Sequence, residues 1–284
     1  MKWRGRRGSG NIIDRRRAGG RGRGVAIGGA GGFGLLAVVV VGYFLGVDLT
    51  PLLDDGRMQG GGGGEITAAD EEAAQFVSVT LADTEEIWTD IFASELGQSY
   101  DPAELVLFKG ATQSACGGAS AATGPFYCPP EERIFLDTDF FTTLERQLGA
   151  RGDFAAAYVV AHEVAHHVQQ ELGILSEVNA LRQRSDEATS NALSVRIELQ
   201  ADCLSGIWAR RAEAMFGAIE PGDIEEAMNA AARIGDDTLQ REAGRVVRPD
   251  SFTHGTSEQR QRWFATGYEQ ASLSACDTFA ADRI

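Results

Sequence analysis

The chain of 284 residues carries 26 Lys and Arg against 41 Asp and Glu, a formal net charge of −15, with four Cys, four His and 35 Gly. A disulfide-dense miniprotein is excluded, and 43% apolar with 24% charged residues fits one or two folded domains and not wholesale disorder. The charge is unevenly spread. Residues 1–24 hold nine basic side chains (Lys2, Arg4, Arg6, Arg7, Arg15, Arg16, Arg17, Arg21 and Arg23) against Asp14 alone, so this stretch is +8 and the remainder is −23.

From Val25 to Val47 runs VAIGGAGGFGLLAVVVVGYFLGV, 23 residues without a charge. As a helix this reaches about 34 Å, enough to cross a hydrocarbon core of about 30 Å. The stretch is longer than a signal-peptide core and no small-x-small cleavage site comes after it, so an uncleaved transmembrane helix is expected. With the basic flank before it, the positive-inside rule keeps residues 1–24 cytoplasmic and exports the chain beyond Val47. The expected location is the inner cell membrane, with the main domain periplasmic or extracellular. Residues 48–64, with five consecutive glycines, read as a flexible linker. The folded domain is then 65–284, and its acidity argues against a nucleic-acid partner.

Within that domain a helix is expected after Thr67 to about Leu81. A second is expected from Asp83-Thr-Glu-Glu86, which has capping-box spacing, to a stop at Gly97. Glu104–Lys109 and Arg133–Leu136 read as short strands around a Gly-rich loop holding Cys116 and Cys128. Asp137–Leu148 reads as a short helix. Residues 153–172 form a helix rich in Ala and Val, with an acidic start and Gly173 just past its end. Further helices are expected at about 188–216, 223–234 and 257–270. The order is not a regular βαβ alternation, so the fold class is α+β, mostly helical with a small sheet.

The chemistry concentrates in His162-Glu163-Val164-Ala165-His166. Two His four apart project from one face of a helix and can reach a single Zn²⁺, while Glu163 can act as general base on the water that the ion activates. A third ligand is required, and Gln169 and Leu172 occupy the places of Gly and His in the longer HExxHxxGxxH pattern. Glu198 in Glu198-Leu-Gln-Ala-Asp202 is the best candidate, with Asp202 one turn on to accept the free ring N–H of a ligand His, assigned as His162. Asp186 and Glu187 compete, but sit in a polar stretch that suits a solvated face. His167 points about 100° from the ligands and is read as a packing residue. His254, just before the last helix, could donate to a developing oxyanion, or could be a surface loop residue beside a capped helix. Tyr158 is read as core.

The runs AHEVAHHVQ and IELQAD, the loop SACGGASAATGPFYCP, the start MKWRGRRGSGNIIDRR and the tail HGTSEQRQRWFATGY together resemble the bacterial membrane-anchored neutral zinc metallopeptidase family. The resemblance covers nearly the whole chain. It implies a zincin-like peptidase in which His162, His166 and Glu198 hold zinc, Glu163 is catalytic, and a peptide or protein is the substrate. One departure is Ala165, where Gly is expected.

Four cysteines outside the cytoplasm favour disulfides, with three possible connectivities. Cys116 with Cys128 would staple the Gly-rich loop, and Cys203 with Cys276 would tie the Glu198 helix to the C-terminal segment. The main reading is a membrane-anchored zinc metallopeptidase. The alternative is an exported, zinc-stabilised binding module without hydrolysis, which would have no need of Glu163.

Overall fold

The computed structural model describes residues 1–17, 65–120, 123–146, 149–150 and 152–284. The expected span at 25–47 and linker at 48–64 lie outside the described residues. Among the described residues, no helix is long and apolar enough to cross a membrane.

The body is α+β and mostly helical. Four strands, β1 (Ile12–Asp14), β2 (Glu104–Phe108), β5 (Phe126–Cys128) and β6 (Arg133–Asp137), form a sheet in the order β1-β2-β6-β5. β1, β2 and β6 are parallel, while β5 is an antiparallel edge. Strands β3 (Ala111–Ser114) and β4 (Gly117–Ser120) make a separate hairpin. Side chains alternate across a strand, and the apolar runs of β2 and β6 therefore serve two cores. Leu105, Leu107, Ile134 and Leu136 join the main helical core. Val106, Phe108 and Phe135 pack with Ala119 and Cys128 on the other side.

Helix α1 spans Ala68–Ile91 without interruption and passes through a π-turn, Phe92–Leu96, to Gly97. The break expected at Leu81–Asp83 is absent, and the capping box belongs to Thr67 and Asp70. No Gly or Pro interrupts the sequence there, and Asp83 is a buried mid-helix residue paired with Arg6 through two hydrogen bonds of 2.7 and 2.6 Å. Helix α2 (Phe140–Arg146) starts three residues later than expected, because Asp137 still belongs to β6.

Residues 1–17 are a further departure. They are part of the body and not a separate basic segment: β1 pairs in parallel with β2, and Trp3 is buried edge-on against Phe76. A basic composition alone cannot reveal that acidic partners await those arginines on α1.

Helix α3 (Asp153–Glu171) is buried over most of its surface, as its Ala and Val content requires. It stops two residues before Gly173, whose φ of 75° is the left-handed conformation glycine tolerates best. Helix α4 (Ile174–Arg182) comes next, then the long α5 (Glu187–Phe216), capped by Asp186 accepting from the Thr189 N–H at 2.8 Å. Helices α6 (Asp223–Arg233), α7 (Asp236–Glu242) and α8 (Ser257–Gln270) complete the body. Helix α3 packs on α5 and α6, and α8 packs closely on α5.

Candidate metal centre

Helices α3 and α5 bring the predicted ligands together. His162 Nε2 lies 3.1 Å from Glu198 Oε2, and His166 Nε2 lies 3.6 Å from Glu198 Oε1. One ligand atom from each of the three residues falls within 4.8 Å of the others, a spacing that could hold one metal ion. The distance of four residues in α3 places the two imidazoles one turn apart, with ring centroids 4.8 Å apart. Two imidazoles and one carboxylate suit zinc.

The second nitrogen of each histidine is also engaged. His162 Nδ1 is 2.9 Å from Asp202 Oδ1, close but short of ideal hydrogen-bond alignment. His166 Nδ1 lies 2.9 Å from Gln169 Oε1, and the Gln169 amide donates to Ile197 O at 2.8 Å and to Gln200 Oε1 at 3.0 Å. Such partners orient imidazoles and leave Nε2 free for a metal. Asp202 is itself fixed. Arg260 donates from Nε to Oδ2 at 2.8 Å and from Nη2 to Oδ1 at 2.9 Å, and the Tyr158 hydroxyl donates to Oδ1 at 2.5 Å. Tyr158, expected in the core, is both core and hydrogen-bond donor.

Burial would lower the His162 pKa, but Asp202 and Glu198 outweigh it and push it up to about 9. For Glu198 burial again opposes the outcome, and the neighbouring His166 and His254 hold its carboxyl well below the usual range. Glu163, 7% exposed beside the ligands, is pushed upward by burial. Among the forces opposing that rise is a hydrogen bond from the Tyr127 backbone in edge strand β5.

His254 stands across the site on the loop before α8 and interacts electrostatically with Glu198. Its Nδ1 is 3.3 Å from Asp236 Oδ1, and Asp236 Oδ2 accepts the backbone N–H groups of Thr253, His254 and Gly255. The side chain keeps 38% of its surface exposed. Burial works against the charged imidazole, yet Glu198 and Asp236 together raise its pKa. His167 is outside the centre: its Nε2 donates to Asp101 O at 2.7 Å, and its Nδ1 lies 3.1 Å from Tyr127 Oη. Asp186 and Glu187 are exposed at the start of α5.

The disulfides Cys116–Cys128 and Cys203–Cys276 are both present. The first joins the β3–β4 turn to β5, and the second joins α5, one residue past Asp202, to the C-terminal segment. A further carboxylate group, Asp153, Asp223 and Glu226, lies elsewhere. It has no imidazole, and the Met1 amino group sits 2.8 Å from Asp153 and 3.2 Å from Asp223.

The chain matches, over residues 1–279, the family described as "Putative neutral zinc metallopeptidase". It belongs to that family. It is 46% identical to the uncharacterized protein YpfJ of Escherichia coli K12 over 289 residues, covering 98% of this chain and 99% of the relative. It is 42% identical to the uncharacterized protein Rv2575 of Mycobacterium tuberculosis H37Rv over 192 residues, 64% of each chain. No solved structure matches it. The family's description names the same metal as the donor set, and this member carries its HExxH residues on the buried helix α3.

Arg260, Gln169 and Tyr127 lie in runs that carry the family resemblance but that assign them no role, and Asp236 lies in none of those runs. Arg260 and Arg262 lie in one polar run, and nothing in their spacing says that the first is buried at 2% exposure. Asp236 is eighteen residues from His254 and stands in no motif with it.

Proposed function

We propose that this protein is a zincin-like, zinc-dependent peptidase whose ligands are His162, His166 and Glu198. The observation that carries the reading is the convergence of those three residues around one point, with the Glu163 carboxylate on the turn between the two histidines. A zinc ion held there supplies Lewis acidity towards a carbonyl and lowers the pKa of water.

The chain's own groups do the rest. Glu163, its proton affinity raised by burial, takes a proton from the attacking water and delivers it to the leaving amine. His254, held by Asp236 and facing Glu198, donates to the oxyanion that develops on the scissile carbonyl. Asp202, clamped by Arg260 and Tyr158, keeps the His162 ring in the orientation that presents Nε2. The edge strand β5 adjoins Glu163 through Tyr127, and an extended peptide can align along that edge by main-chain hydrogen bonds. The two disulfides favour an oxidising compartment for the body.

The test compares zinc content and cleavage of a diverse peptide library by the full-length protein and by Glu163→Gln. Stoichiometric zinc in both, with cleavage by the wild type lost in the variant by at least about 10²-fold, is the expected result. Zinc in both with no cleavage by either would leave a zinc-stabilised binding module.

A further inference from the structure

The first 17 residues and the residues after 64 are joined too closely to lie on opposite sides of a bilayer. Ile12, Ile13 and Asp14 pair in register with Leu105, Val106 and Leu107, and the flanking residues extend the ladder. Leu105 donates to Asn11 O at 2.9 Å and Arg15 to Leu107 O at 2.7 Å. Further back, the Ser9 N–H donates to Ser78 O at 2.9 Å, and Arg6 engages the buried carboxylate of Asp83.

The end of the first described stretch also meets the start of the next. Arg16, 6% exposed, donates to Asp70 O at 2.9 Å and to Glu71 Oε2 at 3.2 Å, and Arg17 reaches Glu71 Oε1 at 3.4 Å. Thr67, Asp70 and Glu71 form the cap and first turn of α1, so Arg16 and Arg17 meet the start of that helix at one corner of the body.

A single helical crossing by the 23 residues Val25–Val47 would instead put Arg17 and Glu65 on opposite faces of about 30 Å of hydrocarbon. No backbone ladder can bridge that layer, because strands pair at about 4.8 Å. The positive-inside rule would hold residues 1–24 in the cytoplasm, but it assumes that the arginines have no better partner than the cytoplasmic face. Here Arg6 and Arg16 are held by carboxylates of the acidic body.

We propose that residues 1–17 and 65–284 fold together in one compartment, with the arginine-rich start as a structural strap on the body.

A disulfide trap tests this in the full chain. A Cβ on Gly8 would stand 3.4 Å from Ser78 Cβ, near the roughly 3.5–4.5 Å that a disulfide spans. Gly8→Cys/Ser78→Cys protein, with a specific protease sequence replacing residues 60–64, is oxidised in intact cells by a membrane-permeant oxidant. It is alkylated before lysis and then cut. The N-terminal fragment is expected to stay with the body on a non-reducing gel and to separate on reduction. Separation without reduction would overturn the proposal.

Should the double variant fail to fold, single variants report the compartments independently. A Cβ on Gly10 meets nothing within 4 Å, and Glu258 is 84% exposed on α8. All described native cysteines are paired, so background labelling is low. Gly10→Cys and Glu258→Cys proteins in protoplasts should react alike with an impermeant maleimide, both before lysis or both only after it. Opposite behaviour would place the strap and body on different sides and sink the idea.

Discussion

His162 has two acidic neighbours with different tasks. Glu198 shares the ligand cluster, whereas Asp202 is saturated by Arg260 and Tyr158 and faces the far side of the ring. The raised His162 pKa, about 9, has a consequence for metal uptake. Below that value the metal-free imidazole carries a proton that must leave before Nε2 can bind. Apparent zinc affinity should therefore rise with pH, by about tenfold per pH unit for each proton displaced. Chelator competition between about pH 6 and 8 measures it, and a flat profile would contradict a protonated His162. His254 yields a second pH prediction. Asp236 raises its pKa, and a protonated imidazole is the better donor to an oxyanion. Activity dependent on that proton falls as pH rises through the His254 pKa. In Asp236→Asn the pKa drops, so the alkaline limb of the kcat profile should move to lower pH. An unmoved limb would remove His254 from the mechanism. The ligand and base residues are legible in HExxH and the downstream Glu-x-x-x-Asp because helical spacing converts directly into a shared face. Arg260 and Asp236 are not, since they reach the centre from other elements.

Helices α3, α5 and α8 are the elements that set the centre's geometry. Helix α3 carries His162, Glu163 and His166, α5 carries Glu198 and Asp202, and α8 carries Arg260. The crossing of α5 and α8 depends on Gly206 and Gly267. A Cβ on Gly267 would collide with the Cys203 carbonyl, and one on Gly206 with the Phe264 carbonyl. Both obstacles are backbone and cannot rotate away. Gly267→Ala should therefore separate the helices, lowering stability by about 3 kcal/mol and weakening zinc retention by misplacing Arg260. Denaturant unfolding together with zinc titration checks both effects. The periodicity of α3, α5, α6 and α8 makes these helices readable within a few residues. The expected division of α1 fails because Asp83-Thr-Glu-Glu86 has the spacing of a helix start without being one. Local sequence cannot show that Arg6 neutralises Asp83 inside a continuous helix, which removes the reason for a break there. The short β1, β3, β4 and β5 also escape sequence reading, being three or four residues long with no alternation to count.

Across the molecule, the C-terminal segment is tied to the metal centre by the Cys203–Cys276 disulfide, which closes a sequence separation of 73 residues. Loop-closure entropy gives such a link about 4 kcal/mol of stabilisation. A Cys203→Ala/Cys276→Ala variant should lose stability of that order in equilibrium unfolding. Its zinc affinity should fall as well, because Gln200, which supports Gln169 behind His166, also donates to Cys276 O at 3.1 Å. Loss of stability without any change in zinc binding would separate the staple from the site. Composition and spacing alone are enough for the α+β class, for the HExxH pair with a downstream carboxylate, and for disulfides whose connectivity they leave open among three. These follow from spacing within each helix or from residue types whose chemistry is restricted. Only the tertiary structure shows that the basic N-terminus adds a strand to the acidic body, that Arg260 locks Asp202, and that Asp236 holds His254. Those decisions depend on which distant carboxylate meets which cation, and sequence distance carries no record of that meeting.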